Sequence, residues 1–403
     1  MKRFLKSSTI SKILIIGVFL STLTVIQATQ QHHSSNSNIS DNSTNLEMPA
    51  RSIAKIITAR QQAEGVGARV RRSIGIMNQR KFDPFLMFDH FSGTGKNGFP
   101  EHPHRGQETI TLMLQGAFAH EDFTGSKGIL YPGDLQFMTA GRGVVHSEMP
   151  VPNEDGSPIS GLQLWVDLPN ELKDTEPRYR DLREWEVPVI TAEGGKVIVR
   201  VISGRSYGAE SVKDLAYTPV DYYYYTLKAG GEFKQELTPG FNYFLYVLKG
   251  NTLVLNDDQK INQYQNVFYE EEGDFAIGRN SATENTDEND VEFVLVGGKK
   301  LNQEVVQYGP FVVSRKEDVQ KAILDYQFAQ NGFENVRTWK TLISNGVTPE
   351  MIEGPLQGNL ELRAKKRAAY FEQKKQLQAE KAKKAEKVAQ LEKVEKEVLK
   401  DEL

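Results

Sequence analysis

The stretches FPEHPHRGQET, residues 99–109, and AGRGVVHSEMP, residues 140–150, decide how the chain is read. On a β-strand, side chains i and i+2 point to the same face. His102-Pro103-His104 therefore presents two imidazoles to one point if this stretch is extended. His146-Ser147-Glu148 repeats the spacing further along, with an imidazole and a carboxylate. If the two strands are neighbours, three neutral nitrogens and one charged oxygen converge. That donor set suits Fe(II), Mn(II), Cu(II) or Ni(II) and leaves positions open for water or substrate. The expected metal ligands are His102, His104, His146 and Glu148.

Outward from this site the chain reads as short strands cut by turns. Residues 53–58 and 109–114 are rich in β-branched or aliphatic side chains. Gly93-Thr94-Gly95, Gly125, Pro132-Gly133 and Gly141-Arg142-Gly143 punctuate this region. The style returns at 197–202, 222–227, 243–248, 267–269 and 292–296. Many short strands at regular spacing predict an all-β architecture, here two barrels or sandwiches. No histidine follows His146, so residues 186–300 cannot build an imidazole site. Residues 317–332 show helical spacing and a terminal glycine. From about residue 349 Lys, Glu, Ala and Gln take over, without a sustained apolar heptad, which predicts a solvated charged helix. GVTP at 346–349 reads as the linker before it.

Composition narrows the function classes. The chain has 403 residues, 39% hydrophobic and 25% charged, with a net charge of -4. It can bury a sizeable core, and no global basic excess points to nucleic acid. With no cysteine, thiolate nucleophiles, disulfides, cysteine zinc sites and iron–sulfur clusters are excluded.

The ends carry addresses. Lys2, Arg3, Lys6 and Lys12 precede a mostly apolar run at 13–26, and Gln27-Ala28 offers a cleavage point. Residues 1–28 thus read as a signal peptide, with no stable membrane span after cleavage. Residues 29–50 read as a disordered polar linker holding His32, His33 and sequons at Asn38 and Asn42. Lys400-Asp401-Glu402-Leu403 spells the retention address of the endoplasmic reticulum lumen and implies its receptor as a partner. Secretion or a periplasmic location is the alternative.

The two site stretches, with AHEDFTG at 119–125 and GLQLWVDLP at 161–169, resemble the pirin family of bicupins. EGVGARVRRSIG at 64–75, DPFLMFDHF at 83–91, YGPFVV at 308–313 and AILDYQFAQNGF at 322–333 add to the resemblance. It implies two cupin-type β-barrels packed face to face. The metal-binding N-terminal cupin domain would span 51–185, and a metal-free cupin-like domain 186–345. A charged helical tail ending in KDEL would follow at 346–403. It also implies one metal per chain, usually iron as Fe(2+), on the four residues already named. Some pirins oxidise quercetin with dioxygen, which implies a flavonol-like substrate, with Glu148 as the base that accepts the hydroxyl proton. Others are nuclear co-regulators that sense the redox state of the iron, so a non-enzymatic sensor binding a protein partner is the alternative. A monomer is expected.

Other residues take plainer expectations. Glu108 reads as structural or as a support for the ligands, and His90 and His120 as core or surface residues. Gly65-Val66-Gly67 is a turn, not a dinucleotide loop. Arg69, Arg71 and Arg72 read as a solvated strand face, and the run 222–225 of four tyrosines as sheet packing.

Overall fold

The computed structural model describes residues 49–401, with side chains described to residue 390. The signal peptide, nearly all of the polar linker with Asn38 and Asn42, and Glu402 and Leu403 lie outside the described residues. Among the described residues, no helix is long and apolar enough to cross a membrane.

Two cupin-type units dominate, each made of a seven-stranded and a four-stranded sheet. In the first, the large sheet runs Arg178–Leu182, Leu135–Thr139, Gln107–Gln115, Ile159–Asp167, Phe85–Gly93, Ala68–Ile74, Gln61–Glu64. Its small sheet runs Phe99–His104, Val144–Val151, Ala117–Asp122, Lys127–Leu130. In the second, the small sheet runs Glu232–Glu236, Phe275–Asn280, Leu253–Leu255, Gln259–Ile261. Side-chain alternation explains how the large sheets are used. On Ile159–Asp167, Leu162, Leu164 and Val166 enter an apolar cluster, while Gln163 and Trp165 turn to the opposite face. The second unit feeds Tyr222, Phe244, Tyr246, Phe268, Val294 and Val296 into that same cluster. Phe85 meets Phe244 edge-on there at 5.2 Å. The second unit's own interior closes over Val199, Tyr225, Phe233, Leu245 and Phe293.

The chain does not respect the boundaries its sequence predicts. Ile53–Thr58 pairs with Gln265–Tyr269, so the first strand belongs to the second unit's large sheet. Conversely Phe311, Val313, Ala322 and Phe333 pack on Phe123, Met138 and Val144 of the first unit. The stretch expected to be a linker at 346–349 is docked instead. Val347 and Leu356 are buried with Ile343 against Ala117, Ala119, Ile129 and Met149. Thr348 caps the short helix Pro349–Glu353, with its side chain accepting the Met351 N–H and proline at the first turn.

The charged helix spans Leu360–Asp401. Glu361 and Lys365, and Glu380 and Lys384, are spaced four apart, an arrangement that supports an exposed helix. Arg363 anchors its root: two N–H groups reach the buried Asp134 carboxylate at 2.6 and 2.8 Å, with the guanidinium over Tyr131 and Trp185. From Phe371 to Gln390 every residue is exposed.

Candidate metal centre

The His-x-His strand is the edge of the small sheet, so Pro100 and Pro103, which lack an N–H, sit where a strand tolerates them. It pairs antiparallel with Val144–Val151, which sets His146 opposite His102. A register shift after His146 re-aims Glu148, which lies opposite Phe99 on one side and His120 on the other. The two sequence pairs thus stand on neighbouring strands. Candidate ligand atoms of His102, His104 and His146 all lie within 4.8 Å of one another. The ring centroids are 4.4–4.9 Å apart.

Hydrogen bonds fix which nitrogens face inward. His102 Nδ1 donates to the Pro100 carbonyl at 2.7 Å, which leaves its Nε2 as a bare lone pair. That Nε2 stands 2.9 Å from His146 Nε2, and His146 Nδ1 is buried without a partner. His104 Nδ1 lies 2.7 Å from the Gln107 side-chain amide, so its Nε2 is the nitrogen left for the cluster. Burial lowers the pKa of all three, well below the ordinary range for His104 and His146. Three neutral imidazoles therefore crowd together, the state in which histidine binds a metal. A spacing near 3 Å is also the edge expected between two nitrogens bound at right angles with bonds of ~2.1 Å. The residues fit a divalent cation.

Glu148 stands beside this trio. Its Oε2 is 3.9 Å from His146 Nε2 and accepts the Gln163 Nε2 hydrogen bond at 3.3 Å. Thr111 Oγ1 donates to Gln163 Oε1 at 2.9 Å and so orients that amide. Burial pushes the Glu148 carboxyl up to about 7. A cavity of about 1120 Å³ opens over the cluster. Phe91, Phe99, Phe118 and Trp165 wall its inner half, and Met77, Arg80 and Lys316 line it further out. Trp165 meets His104 edge-on at 5.0 Å.

The remaining expectations resolve one by one. Glu108 is buried, and among the described residues it hydrogen-bonds to no histidine. It accepts the Thr139 hydroxyl at 2.7 Å and the backbone N–H groups of Tyr217 and Thr218, a structural tie between the two units. His120 is buried and His90 half-buried. His90 bonds Ser160 Oγ at 2.9 Å, and His120 Nε2 lies 3.4 Å from Asp181 Oδ2. Gly65 and Gly67 are left-handed turn positions. Arg69 is exposed as expected, but the other two arginines depart from a solvated face. Arg72 is held by Asp89 at 2.7 Å and Glu64 at 2.8 Å in the cavity wall, and Arg71 lies 3.9 Å over the Tyr264 ring. The four tyrosines do pack, Tyr222 into the shared cluster and Tyr223 and Tyr225 into the second interior. Gln107 and Gln163 were not anticipated. For Gln163 the signal was available, because it alternates with Trp165 on a strand whose other face is aliphatic.

Comparison with known proteins places this geometry. The Pirin family model matches residues 67–166, and the Pirin C-terminal cupin domain matches 222–332. Pirin of Homo sapiens is 44% identical over 292 residues, covering 72% of this chain and 97% of that protein. A pirin-like protein of Solanum lycopersicum is 43% identical, covering 72% and 96%. The crystal structure of quercetin 2,3-dioxygenase from Acinetobacter baumannii is similar at a TM-score of 0.64 and 27% identity, covering 70% of this chain and 98% of that one. With both cupin domains matched and a histidine trio able to hold a metal in the first of them, the chain belongs to the pirin family.

Proposed function

We propose that this chain is a metal-dependent dioxygenase acting on quercetin or a related flavonol or enediol, with Fe(2+) as its metal. The observation that carries the reading is the convergence of three neutral imidazoles beside a buried carboxyl at the floor of an aromatic-walled cavity. The likeness to the Acinetobacter quercetin 2,3-dioxygenase supports the substrate class. His102, His104, His146 and Glu148 would hold the metal. When bound, it supplies Lewis acidity toward substrate oxygens and a place for dioxygen.

The protein groups do the rest. Glu148 accepts the substrate hydroxyl proton, because a carboxylate beside the place where that hydroxyl would bind is what a general base requires. Gln163, oriented by Thr111, occupies Oε2 and so steers the proton to the other oxygen. Phe91, Phe99, Phe118 and Trp165 stack on a planar polyphenol and keep water from its reacting edge. We further propose that the chain works as a monomer in the endoplasmic reticulum lumen, held there by Lys400, Asp401, Glu402 and Leu403.

Iron-loaded protein is expected to consume dioxygen with quercetin, and His104→Ala and Glu148→Gln to abolish it. Folded, metal-loaded protein that turns over no flavonol would overturn the enzyme and give the site to redox sensing. Removal of residues 401–403 is expected to release the protein to the medium, and a full-length protein found in the cytosol or nucleus would refute the lumenal address.

A further inference from the structure

Gln107 opens the strand Gln107–Gln115, is fully buried and belongs to no ligand set. Its side-chain nitrogen lies 2.7 Å from His104 Nδ1 and 3.4 Å from the carbonyl of Pro310. Its Oε1 is buried without any partner. Pro310 sits at the turn between Val306–Tyr308 and Phe311–Val313, a hairpin whose residues line the cavity over the histidines. The same hairpin is clamped to the ligand strand, since Arg105 N donates to Pro310 O and Val312 N to Arg105 O.

The tautomer follows from this placement. When the Gln107 NH2 group donates to His104 Nδ1, that nitrogen carries the lone pair and His104 Nε2 carries the proton. A protonated Nε2 is not a ligand. For Nε2 to bind a cation, the proton must sit on Nδ1 and needs an acceptor there. Among the described residues, the Gln107 amide is the group in position, through its unpartnered oxygen. Turning the amide by half a rotation supplies that acceptor and withdraws the NH2 group from Pro310.

We propose that Gln107 is a positioning residue that sets the His104 tautomer, its amide turned so that Oε1 accepts from His104 Nδ1 whenever His104 Nε2 holds a metal. The inference rests on the metal reading of the histidine trio. Because the NH2 group also contacts the Pro310 carbonyl at 3.4 Å, the orientation of the amide links the histidine cluster to the hairpin that walls the cavity. Supports of this kind typically change metal affinity by ~10–100-fold.

The test uses the full chain, titrated with Zn(II) and Co(II) against a chelator. Gln107→Met should weaken binding by ~10–100-fold, and Gln107→Glu, a pure acceptor, should restore it. The Co(II) visible spectrum of Gln107→Met should shift, which a loss of packing alone would not produce. In unmutated protein, the Gln107 side-chain NH2 resonances should move on Zn(II) loading, and His104 should show a protonated Nδ1. This readout stands even if Gln107→Met folds poorly. Unchanged affinity in Gln107→Met, or NH2 resonances that stay fixed on loading, would overturn the proposal. If unmutated protein takes up neither ion, the metal reading itself fails, and the positioning role with it.

Discussion

The two cupin-type units share one plan and use it differently. Where the first has His102 and His104 on the edge strand of its small sheet, the second has Phe233 and Gln235 on Glu232–Glu236. Where the first has His146 and Glu148 next door, the second has Ala276 and Gly278 on Phe275–Asn280. A side chain at Gly278 would collide with Leu255, the Val254 carbonyl and Phe233. The second interior is packed with aromatic rings, Phe293 stacking on Tyr225 at 5.1 Å and lying tilted against Phe233 at 4.9 Å. One strand pair therefore presents candidate metal ligands in the first unit and packs a core in the second. The inward i, i+2 positions differ between them in kind, histidine and carboxylate against apolar, amide and glycine residues.

The sharpest way to break this contrast is to remove one side chain from each interior. His102→Ala, His104→Ala or His146→Ala should each weaken metal binding by more than ~100-fold, beyond what changes around the ligands cause. Glu148→Ala should also cut bound metal severely, while His120→Ala should leave it in place. Equilibrium dialysis with metal analysis reads this, and a His102→Ala protein with full occupancy would refute the ligand set. Phe293→Ala should instead cost ~3–5 kcal/mol of stability by emptying a packed site. Urea unfolding measures it, with metal stoichiometry unchanged in the folded fraction.

A smaller effect sits between the units. His90 is half-buried between Ser160 and Tyr246, and desolvation pushes its pKa down to about 4. The unfolded chain takes this proton first, near the ordinary 6.5, so the neutral imidazole's contribution is lost as pH falls from 6.5 toward 4. Between pH 7 and pH 5, unmutated protein should lose about 2 kcal/mol more stability than His90→Gln. Equal losses would show that this ring does not control this window. Smallest of all, Arg367→Ala should change stability by no more than ~0.5 kcal/mol, because its 3.0 Å pair with Glu184 is solvent-exposed. A larger loss would mean that the helix root is part of the barrel's cohesion beyond Arg363.

What could be read from sequence was local. His-x-His and His-x-Glu carry their geometry in their spacing, and the glycine-cut strands and charged tail carry theirs in composition. What could not be read involves partners far apart in the chain. Ile53–Thr58 looks like any strand until Gln265–Tyr269 claims it. Glu108 lies close after the histidine pair, yet its partners are backbone groups at 217 and 218. Arg72 reads as solvated because Asp89 lies across a strand pairing. Gln107 has no motif, and only the distance to His104 reveals it.

The docked segment after residue 340 has a consequence for how the molecule is made. Ser147, between the two inward-pointing residues of its strand, faces outward and bonds Ser344 at 3.0 Å. Glu121, on the next strand, accepts the N–H of Ile343 at 3.1 Å. Met149, one residue past Glu148, is covered by a cluster that includes Leu356. On a ribosome, the strand bearing His146 is finished long before its outer cover is translated. Domains generally fold in the order of synthesis, N-terminal first. Here the first unit must wait for residues 343–356, and the strand bearing His146 stays bare on its back until they emerge. The half that bears the candidate metal ligands begins first and matures late, so nascent chains stopped before residue 343 would carry His102, His104 and His146 without the segment that covers their strand.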